Sequence, residues 1–199
     1  MDMPLRSKIS SFSPAITRMI RADHSHVLLL SHKYTADTSP QRKKAIVGAI
    51  CLGLEIHAQL EEEIFYPALQ AIDPSNGVLL KSKPEHAEMR RLITELRQLD
   101  PGDARYDGTF HQLMRGVMHH VADEEAELLP RAENLLGDRL HELGGQMTRR
   151  RMQLARPHVG EMTVQHVRAM PASTMFLAGG LVLTALLLAL SFRKQTFYR

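Results

Sequence analysis

The feature that most constrains this chain is an internal duplication built around histidine. The segment His57-Ala58-Gln59-Leu60-Glu61-Glu62-Glu63-Ile64-Phe65-Tyr66-Pro67 runs parallel to His120-Val121-Ala122-Asp123-Glu124-Glu125-Ala126-Glu127-Leu128-Leu129-Pro130. Each copy has a histidine, glutamates four and five residues on, and a proline ten residues on, at an offset of 63. Upstream, His24 precedes His57 by 33 residues and His86 precedes His120 by 34. The chain therefore reads as two copies of a two-helix unit, each carrying His and then His-x3-Glu. The 11 histidines among 199 residues gain a meaning from this, since four of them fall at the repeated positions.

Breaks in the pattern place the helices. Ser13-Pro14 is a start signal, with Ser as N-cap and Pro in the first turn, and apolar positions recur through Ile16, Ile20, Val27 and Leu28 to about Tyr34. A loop ending at Ser39-Pro40 leads to a second helix from about Gln41 to Leu69. Asp73-Pro74-Ser75-Asn76-Gly77 is a turn. A third helix spans about Lys83, or a little earlier, to Leu99; Asp100-Pro101-Gly102-Asp103 breaks the chain again. The fourth covers roughly Gly108 to Leu136, and a short fifth follows Gly137-Asp138 from about Arg139 to Leu154. No alternating β-type run of useful length occurs. The expected fold is all-α, an up-down-up-down four-helix bundle with a short fifth helix, occupying residues 13–155.

The remainder of the chain has a different character. Residues 156–173 read as a linker. Residues 174–192 carry no charge and would span roughly 28 Å as a helix, against about 30 Å of bilayer hydrocarbon. A short basic tail, residues 193–199, follows. The expectation is a single-pass C-terminal transmembrane helix that contacts membrane lipid, with the helical domain in the cytoplasm, because the first 20 residues lack a secretory h-region. Lone Cys51 excludes a disulfide framework and a cysteine-based zinc cluster and reads as a small core residue. Met89, Met114 and Met118 read as core filler. A net charge of +3 is weak ground for a nucleic-acid partner, and none is expected; a protein partner cannot be named.

Helical spacing gives the repeated residues a common direction. Residues at i and i+4 share a helix face. His57 and Glu61 share theirs with Leu54, Ile64, Phe65 and Ala68; His120 and Glu124 with Leu113, Val117 and Leu128; His86 continues through Met89, Ile93 and Leu96. Buried carboxylates cost several kcal/mol unless paired or metal-bound, and no lysine or arginine falls on these faces. Four histidines and two glutamates from four helices can hold two metal ions, two imidazoles on each and the carboxylates bridging, with positions open for a small ligand. Mixed nitrogen and oxygen donors suit iron, with manganese or zinc also possible.

Neighbouring residues compete for these roles. His119 and Asp123 are also an i,i+4 pair, but their face carries Gln112 and Arg115, which favours His120. His26 competes with His24, and periodicity alone does not separate them. Asp23 either orients an imidazole or is a solvated charge. Arg149-Arg150-Arg151 is either a solvated helix end or a contact for anionic lipid.

The chain resembles the hemerythrin-like HHE cation-binding family, in its bacterial form, over about Ala15 to Leu154. The resemblance is carried by Arg21-Ala22-Asp23-His24, the His57 to Pro67 segment, Glu85-His86 and His119-His120-Val121-Ala122-Asp123-Glu124-Glu125. It implies a four-helix bundle with a non-haem di-iron centre, two iron ions held by His24, His57, Glu61, His86, His120 and Glu124, and its Asp-His pattern favours His24 over His26. The oxygen-carrying members have a second histidine one turn after the third-helix histidine, where this chain has Arg90, and an aspartate where it has Glu124. That departure argues against simple reversible oxygen carriage. Three functions follow: a module that binds or senses oxygen, nitric oxide or iron at the membrane; a di-iron enzyme that removes peroxide or nitric oxide; or a metal-free, membrane-anchored helical adaptor.

Overall fold

The computed structural model describes residues 14–158. These residues form helices and connecting turns, with no strand among them. The helices are α1 (Ile16–Ser31), α2 (Pro40–Leu60), α3 (Tyr66–Gln70), α4 (Gly77–Gln98), α5 (Tyr106–Asp123), α6 (Leu129–Leu136) and α7 (Arg139–Ala155), with a 3-10 turn at Arg156–His158. Two π-helical turns, Glu61–Phe65 and Glu124–Leu128, join α2 to α3 and α5 to α6. The result is five continuous helical rods.

The sequence reading ran straight through both π turns. Pro67 and Pro130 supply their cause, because proline in a helix lacks an N–H and its ring clashes with the carbonyl four residues back. The chain relieves this by widening one turn, so Tyr66 N–H donates to the Glu61 carbonyl and Leu129 N–H to that of Glu124. Both turns begin on a repeated glutamate. π turns of this kind are frequent at functional sites.

Other boundaries also shift. Helix α1 ends at Ser31, not near Tyr34, and begins after Ala15 with no side-chain cap. Helix α4 starts at Gly77, six residues before Lys83, because the Asn76 side chain accepts a 3.0 Å hydrogen bond from Leu79 N–H. The fifth rod is not short: α7 has 17 residues against 16 in α1. The run at 174–192 lies outside the described residues, among which no helix is long and apolar enough to cross a membrane.

Two apolar clusters divide the bundle along its length. One joins Val27, Ile46, Ile50, Leu92, Ile93 and Phe110 with their neighbours. The other joins Ile16, Ile20, Leu60, Phe65, Leu79 and Leu128 with theirs. Helix α1 runs from the second cluster to the first, α2 from the first to the second, α4 back, and α5 forward again. The four rods therefore alternate in direction. The repeated histidines occupy the level between the clusters, where every rod passes from one to the other. Cys51, Met89 and Met114 are core residues, whereas Met118 is 51 % exposed and fills no core.

Helix α7 closes one side of the bundle, packing on α1, α2 and the first π turn. Leu143 and Met147 enter the second cluster. The approach is close enough to require Gly144, since a Cβ there would collide with the Pro14 carbonyl oxygen. Gly137, at φ 46°, lets the chain reverse between α6 and α7. Gly144→Ala is therefore expected to destabilise the protein by about 1–3 kcal/mol through overpacking, measured by urea denaturation; an unchanged midpoint would show that α7 docks more loosely.

Candidate metal centre

At the level between the clusters the structure brings together His24, His57, Glu61, His86, His120 and Glu124, all buried; both glutamates are 0 % exposed. The His57 Nε2 atom lies 3.2 Å from Glu61 Oε2, and His86 Nε2 lies 3.4 Å from the same oxygen. Glu124 Oε2 lies 3.5 Å from His24 Nε2 and 3.6 Å from His120 Nε2. Each carboxylate thus spans from one histidine pair to the other. The pairs are His24 with His57, ring centroids 4.9 Å apart, and His86 with His120, 4.7 Å apart.

A ring of outer carboxylates turns the imidazoles inward. His24 Nδ1 lies 2.9 Å from Glu125, His57 Nδ1 3.3 Å from Asp23, His86 Nδ1 2.9 Å from Glu62 and His120 Nδ1 2.9 Å from Glu85. The pattern obeys the duplication. The acid before each upstream histidine serves the other histidine of its own helix pair. The acid after each inward glutamate serves a histidine of the opposite pair. A carboxylate on Nδ1 keeps the proton there and leaves the Nε2 lone pair facing the centre, which is how histidines are prepared to hold metals. Asp23 is therefore an orienting residue, itself held by Arg151 of α7 at 2.5 and 2.6 Å. Arg90 bonds Glu62 at 2.9 Å, behind His86.

The donor set fits cations. Four buried atoms, His24 Nε2, His57 Nε2, Glu61 Oε1 and Glu124 Oε2, have no hydrogen-bond partner. His86 Nε2 and His120 Nε2 face each other at 3.1 Å, an arrangement that two lone pairs tolerate only with a proton or cation between them. His24, His57, Glu61 and Glu124 form one cluster whose ligand atoms lie within 4.8 Å of one another; Glu61, His86 and His120 form a second. Without metal, protons compensate. Burial opposes charge on His57, but Glu61 and Asp23 outweigh it and push its pKa up to about 10. Burial and the adjacent His120 push His86 down to about 4. For Asp23, His57 and Arg151 overcome burial and hold it at about 2.

Tyr66, fully buried, belongs to this centre although the sequence reading did not select it. Its hydroxyl lies 2.9 Å from Glu124 Oε1, 3.1 Å from Glu61 Oε2 and 3.4 Å from His86 Nε2. Burial, then the two carboxylates, hold its pKa well above the usual phenol value, so it reaches them as a hydrogen-bond donor. The first π turn places it there. Its counterpart in the second copy is Leu129, so this group breaks the symmetry of the site. Glu62, Glu85 and Glu125 were also missed, and repetition of an acid beside each ligand position was the available signal.

The alternatives fall outside. His26 is exposed, and His119 has a side chain 70 % exposed and 3.5 Å from Asp123. On the imidazole side lies a small chamber walled by Val27, Leu54, Ala58, Met89, Val117 and Val121, with Asp23 also on its lining. It leaves about 10 Å³ for the centre of a guest, room for one water or diatomic molecule. Because Glu85 orients His120, Glu85→Ala is expected to weaken divalent-cation binding about 10–100-fold, measured by Co2+ titration. Unchanged affinity would show that the outer carboxylates are incidental.

The comparisons with known proteins agree with this geometry. The sequence matches the family model of the hemerythrin HHE cation-binding domain over residues 15–132, a range that holds all six inward residues and Tyr66 but stops before α7. It is 31 % identical over 121 residues to a protein of Nostoc sp. (strain PCC 7120 / SAG 25.82 / UTEX 2576) named DNA nickase. That alignment takes in 61 % of this chain but 34 % of the relative, so the chain spans about a third of the relative's length. No solved structure matches significantly. By the family match, across more than half of its length, the chain belongs to the hemerythrin HHE cation-binding domain family.

Proposed function

We propose that the protein is a non-haem di-iron protein that binds or senses a small ligand such as oxygen or nitric oxide. His24, His57, Glu61, His86, His120 and Glu124 would hold the two ions. Iron held by nitrogen and oxygen donors supplies open positions for a ligand and one-electron chemistry. The observation that carries the proposal is the small, mainly apolar-walled chamber facing the four imidazoles. Its size and its apolar walls favour a small uncharged guest such as a diatomic molecule. The outer carboxylates hold the imidazole protons on Nδ1, and Tyr66 donates toward Glu61 and Glu124.

Metal analysis of the full-length protein is expected to find close to two iron ions per chain after expression in iron-replete medium. His120→Ala should lose most of that iron, and His119→Ala should keep it. Absence of bound metal in the wild type would leave the metal-free adaptor as the function.

One observation favours a second function, a di-iron enzyme that removes peroxide or nitric oxide. The Tyr66 hydroxyl is a hydrogen-bond donor inside the site, present in one repeat and absent from the other, and such a donor can stabilise charge that develops on a substrate oxygen. Spectra of the reduced protein separate the two. A lasting, reversible change on adding oxygen or nitric oxide supports binding, whereas sustained loss of added peroxide or nitric oxide supports the enzyme. The activity in the Nostoc relative's name remains that protein's, since most of its length lies outside the match.

The membrane placement rests on hydropathy alone. We propose that residues 174–192 anchor the protein in a membrane with the helical domain on the cytoplasmic side. Membrane fractionation should recover the full chain in the pellet and a chain truncated after residue 158 in the supernatant.

A further inference from the structure

The two halves of the bundle differ in what lies outside the orienting acid. In the first half, Asp23 is covered by α7, and Arg151 sits on it. The positions beside it, Ile56 and Leu60, are apolar, and Leu60 is fully buried. In the second half the corresponding acid is Glu85, and the corresponding neighbours are His119 and Asp123. Helix α7 packs on α1, α2 and the first π turn. Glu85, His119 and Asp123 each offer a ligand atom, all within 4.8 Å of one another. Glu85 also accepts from His120 Nδ1 at 2.9 Å, so this trio stands one imidazole ring away from the inner centre.

We propose that Glu85, His119 and Asp123 form an outer divalent-cation site through which metal reaches the inner centre. The chemistry is that of a first-row transition ion: one imidazole and two carboxylates neutralise a 2+ charge and leave several positions to water. Three donors on a solvent-facing surface bind more weakly and exchange faster than the enclosed inner set, as a transit site requires. A cation already occupies part of the trio: the Lys81 ammonium pairs with Asp123, and that carboxylate raises the Lys81 pKa. Lys81 thus competes with the metal and withdraws when an ion arrives. The first half has no such route, because apolar side chains stand where His119 and Asp123 would be and Arg151 pairs with Asp23.

The transit role rests on the inner residues being a metal centre, whereas the outer site itself does not. Equilibrium dialysis of full-length protein against Co2+ separates the two. Wild type is expected to bind two ions tightly and a third more weakly. His119→Ala and Asp123→Asn should lose only the third, and Lys81→Met should tighten it several-fold. When Fe2+ is added to metal-free protein, His119→Ala should fill the inner centre several-fold more slowly to the same final content. Two ions in every variant, or a third ion indifferent to all three substitutions, would overturn the outer site. Equal filling rates for wild type and His119→Ala would overturn its transit role. A third ion that binds without the inner two would instead overturn the di-iron proposal and leave the outer site standing.

Discussion

Glu61 and Glu124 are carboxylates at zero exposure in the middle of a helical bundle, with no lysine or arginine against them. An ionised carboxylate in such a place costs several kcal/mol unless other groups compensate it. Here the compensation is four imidazole Nε2 atoms and one phenol hydroxyl, arranged so that each glutamate reaches across both histidine pairs. Much else in the structure follows from this contact. The apolar core splits into two clusters because a polar layer occupies the level between them. The rods stay continuous through that layer because each must deliver a ligand to it. The π turns begin on these two glutamates, and the prolines that force the turns also bring Tyr66 inward in the first copy.

Around that layer, the duplication sets a near-twofold arrangement of charge. Four outer acids each bond one Nδ1, so every imidazole is gripped from outside and points inward. The symmetry ends at the periphery. Helix α7, which lies outside the family match, packs on the Asp23 side and ties that acid to Arg151. The Glu85 side is left to His119, Asp123 and Lys81. One half of the site is thereby bordered by apolar side chains and an arginine, and the other by polar groups.

Most of the fold was legible in the sequence. Turn-forming stretches at Asp73 to Gly77 and Asp100 to Asp103 separate apolar runs at helical spacing, the repeat accounts for four rods, and the break at Gly137-Asp138 sets off the fifth. Five of the inward residues were legible for the same reason, since a face shared with buried leucines and valines has one direction to point; His24 was separated from His26 only by the family's Asp-His pattern. Asp23 was ambiguous because spacing within α1 says nothing about a partner on α2. Tyr66 was invisible because regular α-helical periodicity puts it off the His57 face, and one widened turn rotates it back. Met118 was read as core because composition does not reveal which side of a helix remains without a neighbour.

The sequence by itself determined the element type, the number of rods and the inward histidines and glutamates other than His24, because these depend on local periodicity and on a repeat that can be read along the chain. Only the tertiary structure decided which histidines pair, which acid grips which imidazole, that a tyrosine enters the centre, and which half of it faces solvent. Those outcomes depend on contacts between residues from about 20 to about 130 positions apart, set by how helices dock and by one extra residue in each of two turns. No spacing within a single helix encodes them.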